Sequence, residues 1–370
     1  MQAVGREEKL ESIYFEIAAK FPPWEGRRKP AGRVLRKKRG IPGFFPRTCR
    51  LFSCGRRAEK RAEDILRPGG ACAILLRDHT KGSETMVSAG LIIEGGGMRG
   101  VYSAGILDFF LDQNLEFSSV YGVSAGACHA CSYLSRQRGR AFAVNVDYLE
   151  DKHYCSVYSW LTTGNMLGVE MLYDKIPNQL NLYDYDAFEK SKSKFYAVAT
   201  NCQTGEAAYL PVTHMRRDIR KVQASSSLPV LAKMVEIDGR LYMDGGMADS
   251  IPLRKSIQDG NRKNVVLLTQ HDGYTKEPNK AMGIIRMVYR KYPKLVEATA
   301  TRHIRYNQAL KFVAEEQKKG TAFVIRPKHP VHVGRLEKNR EKLQMLYEEG
   351  YADAKSCWPE LQAFLQEEKA

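Results

Sequence analysis

Residues 91–134 contain two short apolar segments, each followed by a glycine-containing turn and a stretch with helical spacing. Residues 91–93 and 119–123 have the length and composition of buried strands. Residues 98–111 and Ala125–Leu134 carry apolar side chains at helical intervals. Strands and helices joined by such short connections favour a parallel sheet covered by helices. We therefore expect an α/β fold with three α/β/α layers and a mainly parallel sheet.

The rest of the chain continues the alternation of strands and helices. The dipeptide Asp238-Gly239 between two apolar segments is a strong two-residue hairpin signal, and a helix at 219–226 is stopped by Pro229. From Gly283 onward most of the chain is predicted to be helical. Further strands are predicted at 195–200, 207–210, 235–237, 241–243, 265–269 and 321–325.

Three parts of the chain differ in composition. Residues 1–86 form a basic extension: residues 1–85 hold 20 Lys and Arg against 10 Asp and Glu, in a chain of net charge +16. Apart from one amphipathic helix at 9–21, we expect this extension to be disordered because it has little apolar surface to bury. A functional chain that starts at Met86 is the alternative. We predict a main α/β domain at 87–260, and at 261–370 the last sheet strands with a mostly helical C-terminal domain.

Several classes of protein are disfavoured by composition. No apolar run approaches the roughly 18 residues that span a bilayer, and the N-terminus lacks a secretory pattern, so we expect a soluble, cytoplasmic protein. Peripheral contact with an anionic membrane stays open. The concentration of charge in the extension gives no reason to predict a specific nucleic-acid partner. Eight irregularly spaced cysteines indicate free thiols, and Cys128 and Cys131 lack the second pair that a zinc finger needs.

The second strand ends in the pentapeptide G-x-S-x-G, formed by Gly122, Ser124 and Gly126. At a sharp turn from strand to helix this motif exposes the serine hydroxyl, and the flanking residues must be small because the two segments nearly touch. The start of the following helix favours negative charge near the serine. The position therefore indicates a nucleophile, with an ordinary tight turn as the alternative.

The first turn contains Gly95, Gly97 and Gly100 in the pattern of a dinucleotide-binding loop. That kind of site also needs an acidic residue near the end of the second strand, where this chain has Val123 and Ser124. The end of the first strand and the end of the second lie at the same edge of a parallel sheet. The glycine loop is thus expected to direct free N–H groups at a carbonyl attacked by Ser124.

A candidate base follows the predicted strand 241–243. Asp244 ends this strand and is followed by Gly245 and Gly246. A serine nucleophile needs a proton acceptor, although Asp-Gly turns are common and the aspartate alone would indicate no more than a turn.

These three motifs, GGGMRG, GVSAG and DGG, resemble in order and context those of the patatin-like phospholipases. The resemblance covers residues 91–253, and the stretches ASSSLPV and FVIRPKHPVHVGRLEKN are also similar to bacterial relatives. It implies a lipid acyl hydrolase that needs no cofactor or metal, acts on a lipid or ester, and works through a serine–aspartate dyad. Ser124 is then the nucleophile and Asp244 the base, and the oxyanion loop consists of Gly95, Gly96, Gly97, Met98, Arg99 and Gly100.

Alternatives remain at this stage. A Ser-His-Asp triad would draw its histidine from those that follow Asp244, namely His271, His303, His329 and His332. A non-catalytic lipid-binding or regulatory protein on the same scaffold is the second alternative. Arg99 is predicted either to pin the loop or to attract an anionic head group. The apolar residues of 148–182 are predicted either to line an acyl pocket or lid, or to belong to the core.

Overall fold

The computed structural model describes residues 85–366. The predicted helix at 9–21, the expected disorder and the basic cluster of the N-terminal extension lie outside these residues. Within the described part, the predicted α/β fold is confirmed: one mixed sheet of mostly parallel strands has helices on both faces. No helix in this part of the chain is long and apolar enough to cross a membrane.

The sheet has eight strands. Strand β3 lies between a parallel part, ordered β3-β2-β1-β7-β8, and an antiparallel part formed by β6, β5 and β4. The predicted strands are confirmed, but the two predicted at 91–93 and 119–123 begin six and four residues earlier than predicted, whereas the ends of the others differ by at most two residues. The strands are β1 Thr85–Ile93, β2 Leu115–Val123, β3 Lys194–Asn201, β4 Ala207–Pro211, β5 Val235–Ile237, β6 Arg240–Asp244, β7 Asn264–Leu267 and β8 Ala322–Ile325.

Twelve α-helices are described between residues 85 and 366. The Asp238-Gly239 hairpin has positive φ at both positions, 50° and 73°, as its sequence predicts. The other helical segments are two short 3-10 turns, at Gly97–Gly100 and Gly245–Met247, and a π-helix at Met171–Leu180. The α-helices are α1 Val101–Asp112, α2 Ala125–Leu134, α3 Arg140–Val146, α4 Val157–Thr163, α5 Tyr185–Lys190, α6 Met215–Ser225, α7 Leu253–Gln258, α8 Met282–Val288, α9 Pro293–Ala300, α10 Arg302–Lys318, α11 Arg340–Ser356 and α12 Trp358–Gln366.

The two faces of the sheet bury alternate residues of the central strands. On β1, Leu91 and Ile93 face the larger core, whereas Ile92 faces the smaller one beneath α7 and α10. Successive side chains of a strand point to opposite faces, so a strand covered on both sides reads as an unbroken apolar run. This explains why 91–93 is apolar at every position, and it gives the three layers predicted from the sequence.

The C-terminal helix α11 covers α1 on the larger-core side. A side chain at Gly105 would collide with the backbone of Tyr347, and one at Gly350 with the backbone of Tyr102, so the two helices cross at their glycines. The Tyr102 hydroxyl donates to Asp353 at 2.8 Å. Helix α1 is nearly all buried because the sheet lies on one side of it and α11 on the other.

The apolar residues of 148–182 belong mainly to the core. Trp160, Met166, Met171 and Ile176 are buried in the larger cluster, and the Trp160 indole donates to the Val230 carbonyl at 3.1 Å. The structure therefore favours the core interpretation over the acyl pocket for this segment.

The strand register aligns the two candidate catalytic residues across β3. Val123 of β2 pairs with Val198, and the next residue of β3, Ala199, pairs on its other side with Asp244 of β6. Ser124 comes directly after Val123, so it and Asp244 flank β3 at the same level. The antiparallel strand β6 thus brings a residue 120 positions later in the chain to the carboxyl end of β2.

Candidate active site

Ser124 occupies a strained turn between β2 and α2. Its backbone has φ 55° and ψ −123°, a combination that L-residues rarely adopt. The residue is only 9% exposed. A Cβ at Gly122 would lie 2.5 Å from the Ala127 Cα, and one at Gly126 would collide with the Ile93 carbonyl. Both flanking residues are therefore glycine because β1, β2 and α2 meet here without room for a side chain.

Ser225 supports this turn from the end of α6. Its Oγ accepts a hydrogen bond from the Ser124 N–H at 2.9 Å and donates one to the Val198 carbonyl at 2.6 Å. Ser225 is fully buried, so neither bond has a competing water at the surface. One hydroxyl thus ties the strained residue to the adjacent strand β3.

Asp244 is 2% exposed, and its two carboxylate oxygens differ in their environment. Oδ1 accepts the Gly246 N–H at 2.8 Å, while Oδ2 is buried with no hydrogen-bond partner among the described residues. Burial raises the pKa of Asp244, and the Arg302 guanidinium and then the Ser124 hydroxyl oppose this rise. Ser124 is thus close enough to stabilise the charged carboxylate. Its hydroxyl nevertheless does not meet the geometry of a hydrogen bond to Oδ2.

The backbone of Asp244 is held on both sides. Its N–H donates to the Ser227 carbonyl at 2.8 Å, and its carbonyl accepts the Thr200 hydroxyl at 2.8 Å. A side chain at Gly245 would collide with the Val198 carbonyl. The turn after β6 therefore requires glycine, and the carboxylate is fixed toward Ser124.

The glycine loop passes directly over the serine. A Cβ at Gly95 would lie 2.7 Å from the Ser124 Cβ, so a larger residue here would displace the candidate nucleophile. Gly97 has φ 58°. The N–H groups of Gly96 and Gly97 have no acceptor among the described residues.

Met98 differs from the sequence prediction, in which its N–H is a free donor of the oxyanion loop. This N–H donates to the Arg335 carbonyl at 3.1 Å, and a Cβ at Gly97 would lie 2.5 Å from the same oxygen. The segment 326–339, between β8 and α11, therefore lies against the loop and occupies this donor. The N–H groups of Gly95, Gly96 and Gly97 have no acceptor among the described residues.

Gly100 ends the loop where it meets His129 of α2. A Cβ at Gly100 would lie 2.8 Å from the His129 Cε1. Burial lowers the pKa of His129 to about 4, so this imidazole is neutral at physiological pH. His129 thus packs beneath the loop as an uncharged ring.

Glu94 fixes the start of the loop. Its Oε2 accepts the Thr269 N–H at 2.7 Å and the Thr269 hydroxyl at 3.1 Å, and its Oε1 accepts the Tyr306 hydroxyl at 2.6 Å. The same Thr269 hydroxyl lies 3.1 Å from the Gly95 carbonyl. This carboxylate is therefore occupied by three donors, two of which come from after β7 and one from α10.

Ser124 and Asp244 line one cavity of about 30 Å³ together with four cationic side chains, which are Arg99, Lys276, Arg302 and Arg335. None of the four makes an ion pair with a carboxylate of the described residues, and the Nε atoms of Arg99 and Arg302 are buried without a hydrogen-bond partner. Arg99 therefore does not hold the loop through a salt bridge with any residue from 85 to 366.

A larger cavity of about 760 Å³ adjoins the serine cavity. Leu228, Lys276, Arg302 and Arg335 line both spaces. The apolar part of its wall includes Leu228, Pro229, Leu231, Met247, Ile284 and Ile285. Leu228 precedes Val230, whose φ of 69° is rare for a β-branched residue.

The other candidates from the sequence lie elsewhere. Among the described residues that line the serine cavity there is no histidine; His303 lines the larger cavity, and the His271 ring lies by the Asp272 carbonyl. The five cysteines between residues 85 and 366 are free thiols, as predicted. Over the same residues, no group of three or more His, Cys, Asp or Glu side chains is arranged to hold a metal ion.

A comparison with known protein families agrees with this arrangement of the serine turn, the glycine loop and Asp244. The family model of patatin-like phospholipases matches residues 91–256, which contain the serine turn, the glycine loop and Asp244. This match covers 166 of the chain's 370 residues. A second model, for a domain of unknown function named DUF6363, matches residues 292–366. This second region contributes Arg302, Tyr306 and Arg335 to the surroundings of the serine.

Individual proteins similar to this chain include proteins of bacteria and a virus. The uncharacterized protein YjjU of Escherichia coli K12 is 28% identical over 251 residues, which are 65% of this chain and 69% of the relative. A protein named probable lipid hydrolase 463L from invertebrate iridescent virus 6 is 23% identical over 47% of this chain and 65% of its own length. The uncharacterized NTE family protein MT2641 of Mycobacterium tuberculosis is 24% identical over 54% of this chain, and the match spans only 32% of that protein.

Among solved structures, that of VipD from Legionella pneumophila matches with a TM-score of 0.37 and 13% identity. The match covers 74% of this chain and 67% of VipD.

Several residues of the patatin-like site were not predicted from the sequence. Ser225 and Arg335 lie within stretches that resemble the family, but nothing in those stretches assigns them a contact. Arg302 carries one physical signal: it is the first residue of α10, where a cation opposes the helix dipole. Glu94 and Lys276 have no comparable signal, because their positions depend on how distant elements pack.

Proposed function

We propose that this chain is a serine lipid acyl hydrolase that cleaves carboxylic esters through a Ser124–Asp244 dyad and an acyl-enzyme. The observation that carries the proposal is the buried, unpartnered Oδ2 of Asp244 in the same small cavity as the strained Ser124. A buried acceptor without a donor is costly, so its retention beside a serine in a patatin-like domain favours a role in proton transfer.

In the proposed reaction the Ser124 Oγ attacks the ester carbonyl while its proton passes to Asp244 Oδ2. The raised pKa of Asp244 makes it a better base than an exposed carboxylate. The proton then passes to the departing alcohol as the tetrahedral intermediate collapses to the acyl-enzyme. Water attacks this ester in the second half of the reaction, again giving a proton to Asp244, and the acid product leaves as Ser124 recovers its hydrogen.

Negative charge on the carbonyl oxygen is stabilised by the N–H groups of Gly96 and Gly97. Both lie in the loop that crosses Ser124 and have no other acceptor among the described residues. One donor of this kind typically contributes about 3–4 kcal/mol to the transition state. We assign the predicted oxyanion function to these two groups rather than to Met98.

The acyl chain of the substrate occupies the adjoining cavity of about 760 Å³. Its apolar wall suits a hydrocarbon chain. Leu228 lines both cavities, so the reacting ester and the acyl chain lie against the same apolar side chain. A lipid is therefore favoured over a short polar ester.

Labelling with a fluorophosphonate probe tests the proposal, because the probe modifies an activated serine. We expect the full chain to be labelled, and Ser124→Ala and Asp244→Asn to remain unlabelled while keeping their unfolding transitions. Ser250→Ala is the matched control: Ser250 lines the same cavity, but its hydroxyl donates to the Gly246 carbonyl at 2.7 Å, so labelling is expected to persist.

Absence of labelling in well-folded protein would refute the hydrolase proposal and favour the non-catalytic alternative. A His271→Ala variant tests the triad separately. We expect it to be labelled at the normal rate, because the His271 ring lies by the Asp272 carbonyl and does not line the serine cavity. Loss of labelling in folded His271→Ala would instead support a Ser-His-Asp triad.

A further inference from the structure

Four cationic side chains line the serine cavity without a carboxylate partner among the described residues. They belong to Arg99, Lys276, Arg302 and Arg335, which we call the cationic cluster. No carboxylate between residues 85 and 366 forms an ion pair with any of them, and the Nε atoms of Arg99 and Arg302 are buried without a hydrogen-bond partner in the same range. Buried charges in proteins are normally paired. The cluster would therefore stabilise a negative charge placed among its members.

The two carboxylates of this cavity are engaged in other contacts. Glu94 accepts hydrogen bonds from Thr269 and Tyr306 through both of its oxygens. Asp244 accepts one from Gly246 through Oδ1, and its Oδ2 is the proton acceptor of the proposed reaction. A negative charge that pairs directly with the cationic cluster would therefore have to come from another group.

Lys276 is the member of the cluster that can take up a covalent group. The guanidinium groups of the three arginines stay protonated, whereas a lysine amine that has lost its proton is a nucleophile. The Lys276 backbone is held against α10, because its N–H donates to the Asn307 Oδ1 at 2.9 Å and its carbonyl accepts the Asn307 Nδ2 at 3.1 Å. Its Nζ lies 4.3 Å from the centroid of the Tyr306 ring. The side chain lines both the serine cavity and the cavity of about 760 Å³, so a small group added to Nζ has room where the two cavities meet.

The surroundings of Lys276 favour its neutral form. Burial, and then the charges of Arg302 and Arg335, lower the pKa of this amine to about 7, and Glu94 opposes them. The Tyr306 ring attracts an ammonium group, but it carries no negative charge that would pair with the guanidinium groups. The lowered pKa increases the fraction of the nucleophilic amine. The charged and titratable groups that face Lys276 are Arg99, Arg302, Arg335, Glu94, Tyr274 and Tyr306.

We propose that Lys276 is a carbamylation site: carbon dioxide adds to its amine, and the resulting carbamate pairs with the arginines of the cationic cluster. The lone pair of the neutral Nζ attacks the carbon of carbon dioxide, an N–C bond forms, and one C=O electron pair moves to oxygen. Nζ then releases one proton to water. The product carries one negative charge on a planar carboxylate, the shape that a guanidinium fork binds through two parallel hydrogen bonds. The step needs no oxidant, reductant or leaving group.

The modification changes the cluster from four cations to three cations and one anion. Arg302 and Arg335 line both cavities together with Lys276, so their guanidinium groups border the space that the added carboxylate enters. The proposal does not depend on the hydrolase function, because neither Ser124 nor Asp244 takes part in the addition. Carbon dioxide would instead set the charge of the wall beside these two residues.

Carbon NMR of the full chain with isotope-enriched bicarbonate tests the proposal, together with trapping by triethyloxonium, which converts a carbamate into a stable ethoxycarbonyl group. We expect a carbamate signal that is absent from Lys276→Arg and Lys276→Gln, and a trapped group on the peptide that contains Lys276. Arg335→Gln should lower the occupancy about tenfold, because it removes a partner of the carbamate and also raises the pKa of the amine. Two matched controls should keep the full occupancy: Arg286→Gln, at an exposed position on α8 outside both cavities, and Lys294→Gln, whose Nζ lies 3.1 Å from a Glu297 oxygen at the surface.

Several results would overturn the proposal in chains whose unfolding transitions are intact. A signal of equal size in both Lys276 variants would place the carbamate on another amine. A bicarbonate signal without a trapped group would mean that the anion binds without a covalent bond. Equal occupancy in Arg335→Gln and the native chain would refute pairing with the cluster. Fluorophosphonate labelling is read separately: a chain that forms the carbamate but is not labelled leaves this proposal standing and refutes the hydrolase, and the reverse result does the opposite.

Discussion

Replacement of Ser225 by alanine tests whether a single buried hydroxyl maintains the strained turn at Ser124. In the native protein this hydroxyl accepts the Ser124 N–H at 2.9 Å and donates to the Val198 carbonyl at 2.6 Å. Alanine fits the same space, so the change removes two hydrogen bonds without introducing a clash. Ser225 contacts no reacting group in the proposed mechanism, and its effect on activity can only come through the position of Ser124.

The magnitude follows from the groups left without partners. A buried N–H that loses its acceptor costs about 1–3 kcal/mol, and the Val198 carbonyl also loses a donor. The φ of 55° at Ser124 is itself strained by about 1–3 kcal/mol and persists only where the surroundings enforce it. We expect the free energy of unfolding to fall by about 1–3 kcal/mol. At about 2–4 °C for each kcal/mol, the melting temperature would fall by about 2–12 °C.

The assay combines thermal unfolding with the rate of fluorophosphonate labelling. Ser227→Ala is the matched control, because it removes a buried hydroxyl two residues away. That hydroxyl donates at 2.8 Å to the carbonyl of Gln223, which is only four residues earlier in the chain. The Ser227 carbonyl, which accepts the Asp244 N–H, is not changed by the substitution. We expect Ser225→Ala to label at least tenfold more slowly than Ser227→Ala at a temperature where both are folded. Equal melting temperatures and equal labelling rates in the two variants would refute the reasoning.

Two further outcomes are expected. Gly97→Ala should destabilise the protein by more than Gly239→Ala, measured by denaturant unfolding, because both positions have positive φ but only at Gly97 would the Cβ meet a backbone oxygen, at 2.5 Å; equal losses would contradict the clash. Because Asp244 must be ionised to accept a proton and burial raises its pKa, labelling should fall with decreasing pH at a value above 3.8, the ordinary aspartate value; a limb at or below it would contradict the burial effect.

The elements of the fold could be predicted from the sequence because their signals are local. The apolar runs of β1 and β2, the Asp238-Gly239 hairpin and the G-x-S-x-G turn each depend on residues that are neighbours in the chain. Ser124 and Asp244 could be predicted as candidates because each lies at the end of a strand that has such a local signal. Their alignment across β3 depends on strand pairing, which the order of motifs suggests only through the family resemblance.

The groups around this pair could not be predicted, because each depends on contacts between distant segments. The Glu94 carboxylate is held by Tyr306, 212 positions later in the chain. The sequence leaves Arg99 with two roles, and the choice between them depends on whether a carboxylate lies within reach; none of the described residues supplies one. The bond of the Met98 N–H could not be predicted for the same reason, because its acceptor is the carbonyl of the distant residue Arg335.

The contact between Met98 and Arg335 links the chemistry of the proposed oxyanion loop to the C-terminal region. The Arg335 carbonyl accepts the Met98 N–H, so this N–H is not free to face the serine. The same segment, residues 326–339, brings the Arg335 side chain into the cavity. Tyr306 and Arg302 reach the site from α10 in a similar way. Tyr306 donates to the Glu94 carboxylate at the start of the loop, and Arg302 lies beside Asp244. Residues 292–366 therefore complete the wall of the serine cavity, whose other lining residues include Ser124 and Asp244. A change in this region is expected to alter substrate preference without altering the dyad.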